Sequence, residues 1–317
     1  MRIDLLDSFP PELDAVADAS SRSTFYHTGA WLHSLAAAYP RLAPRCLVAS
    51  DGGVAAGYLP YFETRRGPFR AAWSLPFGTY GGPVGSEDAC RELASAFARR
   101  LGQPGMIEVG WVDFPGRAPA GGWESSESTT HLVDMTGGFD VVWRERFDKP
   151  RRRRARRAEE SGVVIRRGAG VDDVALFVGV YRDRLREWDS GAGHPESIFF
   201  NLVERGGARV RLYLAEHEGA VVGGHLNFYF RETVTAWSGM TTSRAGDTQA
   251  GTLLYATCMR EACAAGFTVY NLGASLGRRS LIEYKESLGG VAHVYHTLRR
   301  RRLAGRLAAL VRRGRRP

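Results

Sequence analysis

CLVASDGGVAAGYLPYF, residues 46–62, and LYLAEHEGAVVGGHLNFYF, residues 212–230, decide the fold, because each repeats the plan of the other. In both, an alternating apolar run meets a short polar turn and resumes as a second apolar run broken by glycine. That pattern predicts a β-hairpin. Gly53 falls on Gly219 and Gly57 on Gly223, an offset of 166. Working outward, AAWS at 71–74 matches TAWS at 235–238, with Trp73 opposite Trp237 at an offset of 164. The helical patterns CRELASAFARRLG and LYATCMREACAAG follow, each ending near a glycine suited to a left-handed cap. IEVGW at 107–111 then pairs with VYNLG at 269–273, and THLVDM at 130–135 with AHVYHT at 292–297, His131 lying opposite His293. Landmarks in one order at nearly one offset predict a duplication. Each copy reads as an α/β unit of mixed sheet with helices on its faces. The expected domains are 1–145 and 146–297, joined through TGGFDVVWRERFDKP at 136–150, with 298–317 as a separate tail.

The chain has 317 residues and a net charge of +9. Its length suits two cores, and it holds no apolar run long enough to span a membrane. The acids in MRIDLLDSFPPELD occupy the place of a signal peptide's apolar core, and Cys46, Cys90, Cys258 and Cys263 form no CxxC pair. A cytoplasmic protein with reduced thiols and no bound metal is expected. The surplus charge sits in LRRRRLAGRLAALVRRGRRP, where Leu303, Leu307, Leu310 and Val311 recur at helical spacing. This predicts a basic amphipathic C-terminal helix able to meet anionic lipid or nucleic-acid phosphate, making the protein peripheral to a membrane in the first case. A second basic run, KPRRRRARRAEE at 149–160, reads as a solvated helix laced with i,i+4 ion pairs.

Of the 43 Lys plus Arg residues only Lys149 and Lys285 are lysine. A compact ammonium whose pKa responds to burial differs from a planar, permanently charged guanidinium. Lys285 in EYKESLGG is therefore either a site residue or a surface cation paired with Glu283 or Glu286.

The ordered motifs resemble a tandem GNAT fold, and those of the second copy resemble the Fem-type peptidyltransferases and related FemAB-like acyltransferases. The segments that carry the resemblance are FYHTGAWLHSLAAAYP at 25–40, SLPFGTYGGPVG at 74–85, RRARRAEESGVVIRR at 153–167 and YNLGASLGRRSLIEYKESLGG at 270–290. Together they cover nearly the whole chain. The last looks like that family's strand end, loop and aromatic-Lys segment. The resemblance implies transfer of an aminoacyl group from aminoacyl-tRNA to an amine of a small-molecule, peptide or cell-wall acceptor, with Tyr284 and Lys285 near the developing oxyanion. Asn271 stands where the family usually has Asp, and LHSLAAAYP lacks the basic residue used for the nucleotide-sugar peptide precursor, which points to a different amine.

Further candidates come from the residues themselves. His225 and Asn227 alternate with Leu226 and Phe228 and so share one strand face. Trp237 is a site or core aromatic. Arg184 and Trp188 lie four apart on one helix and could border an acceptor cleft beside GAGHPES at 191–197. An acyl-CoA-dependent N-acyltransferase is the alternative enzyme, but neither GTYGGPVGSEDACREL nor SRAGDTQAGTLLYATC carries the usual pyrophosphate turn. Pro83 lacks an N–H, Glu87 and Asp88 would repel phosphate, and Gln249 and Gly251 are wrongly spaced. A third reading is an inactive module docking RNA or membrane through its tail. No GxSxG elbow or local Cys/His signature indicates a nucleophilic side chain.

Overall fold

The computed structural model describes residues 1–114, 121–187, 193–243, 248–303 and 305. It divides into two compact units: Met1–Ser128 with Val294–Pro317, and Thr129–His293.

The first unit begins with β1 (Arg2–Leu6), α1 (Leu13–Ala19) and α2 (Gly29–Ala38), followed by β2 (Ala43–Asp51), β3 (Val54–Arg66) and β4 (Phe69–Ser74). After β5 (Val84–Gly85) come α3 (Glu87–Arg99) and β6 (Met106–Val112). Strands β1 to β4 form an antiparallel meander, and β6 joins parallel to β4. Helix α3 buries Ala89, Cys90, Leu93 and Phe97, one face of a 3.6-residue repeat. Leu93 and Phe97 are fully covered, each worth about 1.5–3 kcal/mol.

The second unit repeats this order. It takes the end of β7 (Glu124–Asp134), then α4 (Phe139–Val141), α5 (Lys149–Glu160) and β8 (Val164–Arg167). Next are α6 (Val171–Glu187), α7 (Ser197–Gly206), β9 (Val210–His217), β10 (Ala220–Phe230), β11 (Thr233–Thr241), α8 (Ala250–Ala264), β12 (Val269–Ala274) and α9 (Arg279–Glu286). Strands β8 to β11 are antiparallel neighbours, β12 runs parallel to β11, and β7 pairs antiparallel with β12.

Both predicted hairpins form, and their details match. Each turn has two residues at positive φ: Gly52 (55°) and Gly53 (86°), then Glu218 (50°) and Gly219 (76°). Two left-handed residues make a turn whose twist suits the strands. Each hairpin also carries a bulge, with Ala56 in one and Val222 in the other as the extra residue. The next residue explains the repeated glycine. A Cβ on Gly57 would lie 2.7 Å from the Val84 carbonyl and 2.8 Å from Ala89 of α3. A Cβ on Gly223 would lie 2.9 Å from Thr241 and 3.3 Å from Leu254 of α8. Glycine lets the helix settle on the strand in both copies.

The boundaries differ from those expected. Residues 130–134 of β7 pair with β12, and Val142 and Phe147 are buried in the core of the second unit with Val133 and Met135. The stretch expected as a linker is therefore part of that core, and the first break falls at Ser128 rather than at 145. The tail is also corrected: residues 298–301 belong to strand β13 (Val291–Arg301), where Thr297–Arg301 pair antiparallel with β6. Leu298 is fully buried against the first core. Of the apolar positions expected to line the helix, Leu303 is exposed, and Leu307, Leu310 and Val311 lie outside the described residues.

Helix α5 forms where the basic run and Pro150 place it, but without the expected ion pairs. Among the described residues Arg153, Arg154, Arg156 and Arg157 reach no carboxylate, whereas Arg152 donates to the carbonyls of Trp143, Arg144 and Phe147. Ala155 and Ala158 are the buried residues of this helix, small enough for close packing on α8. Among the described residues no helix is long and apolar enough to cross a membrane. No group of three or more His, Cys, Asp or Glu side chains among them is placed to hold a metal ion.

Candidate functional site

In the second unit β11 and β12 pair only from Thr233 to Thr235 and from Val269 to Asn271. Beyond that point β11 continues to Thr241 and β12 to Ala274 without pairing to each other. Parting parallel strands leave backbone groups free at the edge of a sheet, the kind of place where open α/β sheets receive ligands. The first unit is different there. Its β4 and β6 stay paired to Ser74 and Trp111, and a further bridge joins Tyr80 to Val112. The Gly81 N–H donates to the Val112 carbonyl (2.7 Å) and the Gly82 N–H to Ser74 Oγ (2.8 Å). The stretch SLPFGTYGG thus ties the ends of β4 and β6 in the first unit, whereas among the described residues no such bridge joins β11 to β12.

Lys285 reaches the end of β12 from α9. Its ammonium donates to the carbonyls of Gly273 (2.7 Å) and Ala274 (2.9 Å). The residue is 4% exposed, and burial pulls its pKa from 10.5 down to about 8. Glu283 is engaged by Arg279 (2.8 Å), and no carboxylate among the described residues lies within ion-pair distance of Lys285. The surface-cation reading is excluded by this geometry. Two of the three ammonium donors are committed to carbonyls, which fixes the direction of the third.

Asn271 belongs to the same construction. Fully buried, its Oδ1 accepts from Thr130 Oγ1 and from the Gly273 N–H, both at 2.8 Å. It thereby holds Gly273 at φ +77° with the carbonyl that Lys285 uses. An acceptor is what this position requires, and Asn meets that need without a buried charge.

Tyr284, adjacent on the helix, turns elsewhere. The Arg151 guanidinium lies 4.3 Å from its ring centre, and its hydroxyl meets Thr252 at the start of α8. His225 and Asn227 share a face as expected, directed toward α8. His225 packs edge-to-face on Tyr255 (4.3 Å), and burial holds it neutral with a pKa of about 4. Asn227 Nδ2 donates to Tyr270 OH (3.0 Å). Trp237 is the bulged residue opposite Leu226 and Asn227, and its ring stacks on Phe228 (5.2 Å) near Phe199 and His194. It joins the aromatic layer under α6 and α7, apart from the His225 face. Arg184 pairs with Glu187 on α6, and Trp188 lies outside the described residues.

The structure adds His131. It is 1% exposed, and among the described residues neither ring nitrogen has a hydrogen-bond partner. Its pKa is lowered by burial first and then by the Lys285 charge. Gly290 lies between the two: a Cβ there would be 2.8 Å from the Lys285 carbonyl and 3.1 Å from His131 Cβ. The only sequence signal was its place opposite His293 in the repeat.

The helix that follows the first hairpin offers little to a pyrophosphate. Ser86 Oγ caps it by accepting from the Ala89 N–H (3.3 Å), with Glu87 and Asp88 in its first turn.

A family model described as an acetyltransferase (GNAT) domain matches residues 145–286 of this chain, ending one residue past Lys285. No curated protein matches. Among solved structures, FemX is 12% identical with a TM-score of 0.74, over 92% of this chain and 96% of that chain. L-PGS from Bacillus licheniformis is 15% identical with a TM-score of 0.64, over 96% of each. A tandem GNAT protein from the clavulanic acid biosynthesis pathway is 13% identical with a TM-score of 0.53, over 95% of this chain and 98% of that chain. At such identities the likeness is one of fold: the chain has the tandem GNAT architecture.

Proposed function

We propose that the protein is an amide-forming N-acyltransferase, that it takes an aminoacyl group from aminoacyl-tRNA, and that the reaction occurs at Lys285 in the second unit. The neutral acceptor nitrogen attacks the ester carbonyl and a carbon–nitrogen bond forms. The tetrahedral oxyanion then collapses, the carbon–oxygen bond to the ribose breaks, and the surplus proton of the nitrogen ends on the ribose oxygen. No enzyme nucleophile is required. Lys285 supplies a preorganised positive donor where charge develops, worth about 2.7–4 kcal/mol for donors of this kind.

The observation that carries this reading is the buried ammonium at the end of β12, where β11 no longer pairs with it, anchored through two donors and, among the described residues, with the third uncommitted. A lysine retained only as a surface cation has no reason to be desolvated there. The resemblance of residues 270–290 to the aromatic-Lys segment of Fem-type enzymes supports the aminoacyl donor, and the capped, acid-bearing start of α3 argues against CoA in the first unit. The test is incubation of the protein with a pool of charged tRNA, with acyl-CoAs, and with amine acceptors including amino sugars, small diamines and peptides. Loss of the aminoacyl ester with amide formed, abolished by ribonuclease pretreatment, is expected. Amide formation from acyl-CoA that ribonuclease leaves intact would overturn the donor assignment.

A further inference from the structure

A groove of the second unit has none of the candidate residues in its walls. It encloses about 760 Å³ between the segment Gly137–Trp143, α5 and the outer side of α8. Phe139 and Trp143 form one wall, nearly parallel at 5.8 Å and 30°. The Arg260 guanidinium lies 4.9 Å from the Phe139 ring centre and that of Arg156 lies 6.0 Å from Trp143. Trp143 starts from a stretch of π-helix, Val142–Arg146, a rare local form often found at functional sites.

Leading into this wall is a strip of positive charge. Lys149, Arg153 and Arg156 lie at i, i+4 and i+7 on α5, with Arg157 beside Arg153. All four are exposed and, among the described residues, without a carboxylate partner. Of the two acids in the groove, Asp140 is held by Arg144 (3.1 Å), which leaves Glu159 to face an occupant. Aromatic faces with guanidiniums over them and a track of unpaired cations match one ligand chemistry: a nucleotide whose base stacks and whose neighbouring phosphates follow the cations. Glu159 can then accept from an exocyclic amino group. A flat anionic surface would meet the cations but would leave the aromatic groove unused.

We infer that the Phe139–Trp143 groove and the basic strip of α5 form a docking site for an unpaired segment of RNA, one base in the groove and its phosphates along α5. The inference rests on the reading of the donor as aminoacyl-tRNA. Helix α5 is also tied to the catalytic helix: Arg151 donates to Ser287 Oγ (2.7 Å) just past α9 and covers the Tyr284 ring. RNA held on α5 is thereby held by the element that braces Lys285.

The test is fluorescence anisotropy of the full-length protein with labelled uncharged tRNA and a labelled single-stranded oligoribonucleotide, across a salt series. The double substitution Arg153→Glu/Arg157→Glu, at exposed positions, is expected to weaken binding of both and to reduce the salt slope by about two. Trp143→Ala is expected to weaken the oligonucleotide roughly 5- to 150-fold at fixed salt while leaving the slope unchanged, with Trp143→Phe restoring most of it. Binding that is absent in the wild type, or unaltered in these variants, overturns the inference. So does binding to anionic vesicles that depends on the same residues while RNA binding does not. The two proposals fail separately: RNA bound through this strip without consumption of charged tRNA refutes the donor, and consumption of charged tRNA with variants that bind normally refutes the docking site.

Discussion

Replacing Lys285 with methionine removes the ammonium and keeps an unbranched stem of similar length. Loss of one oxyanion donor is expected to lower kcat by about 10²–10³. The same change acts on stability in two opposing ways. It leaves the Gly273 and Ala274 carbonyls without their donor, at about 1–3 kcal/mol each if they stay dry. It also removes a cation whose pKa is drawn from 10.5 to about 8, a desolvation cost of about 3 kcal/mol while the group is charged. At pH 7 these terms offset one another to within about 3 kcal/mol, so the folded fraction stays high while turnover collapses. The pH dependence separates them further. Because the folded pKa lies below the unfolded one, the burial cost of the charge is fully present below pH 8 and is relieved as pH rises toward 10.5. The wild type therefore gains stability over that window while losing the protonated donor, and the Lys285→Met protein shows neither trend. The assay pairs single-turnover amide formation from charged tRNA with urea denaturation at pH 7 and 9.5. A kcat within threefold of wild type in a folded Lys285→Met protein would refute the reasoning. So would a stability loss at pH 7 large enough to account for the missing activity, because Lys285 would then be a structural clasp alone.

Asn271→Leu leaves Thr130 Oγ1 and the Gly273 N–H without their acceptor, and a loss of about 2–4 kcal/mol in urea denaturation is expected, with kcat falling as the Gly273 carbonyl is released. Gly290→Ala forces a Cβ to within 2.8 Å of the Lys285 carbonyl and 2.9 Å of Leu272. It should cost about 1–3 kcal/mol and lower kcat at unchanged KM, whereas an unchanged kcat would show that α9 tolerates displacement. Ser86→Ala removes the cap of α3 and should reduce stability by about 1 kcal/mol in thermal denaturation without altering turnover.

The duplication was legible because its signals are local. A two-residue turn with positive φ demands residues such as Gly53 and Gly219, and the close approach of a helix to a strand demands Gly57 and Gly223. What failed depends on partners far away in the chain. An arginine run reads alike in a helix or a strand until its neighbour is known, and pairing with β6 sends Arg299 over Trp73 and Arg301 to Glu108. Spacing permitted an Arg156–Glu160 pair on α5, yet Arg156 turns to Trp143, contributed by a segment its own helix spacing cannot reveal. Lys285 was singled out by its rarity, but its burial was not, since EYKE offers two nearby carboxylates and only Arg279 decides that Glu283 is taken. The parting of β11 from β12 beside Lys285 leaves no mark in either strand's own sequence, and His131 joins Lys285 across more than 150 residues.

The central claim is that a buried, protonated Lys285 stabilises the oxyanion, and a pH–rate profile tests it most directly. Single-turnover amide formation should decline above pH 8 in the wild type, following loss of the Lys285 proton. In Lys285→Arg, whose guanidinium keeps its charge, the rate should be lower throughout and should show no such limb between pH 7 and 10. An identical descending limb in both proteins, or a wild-type rate flat through pH 10, would contradict the account.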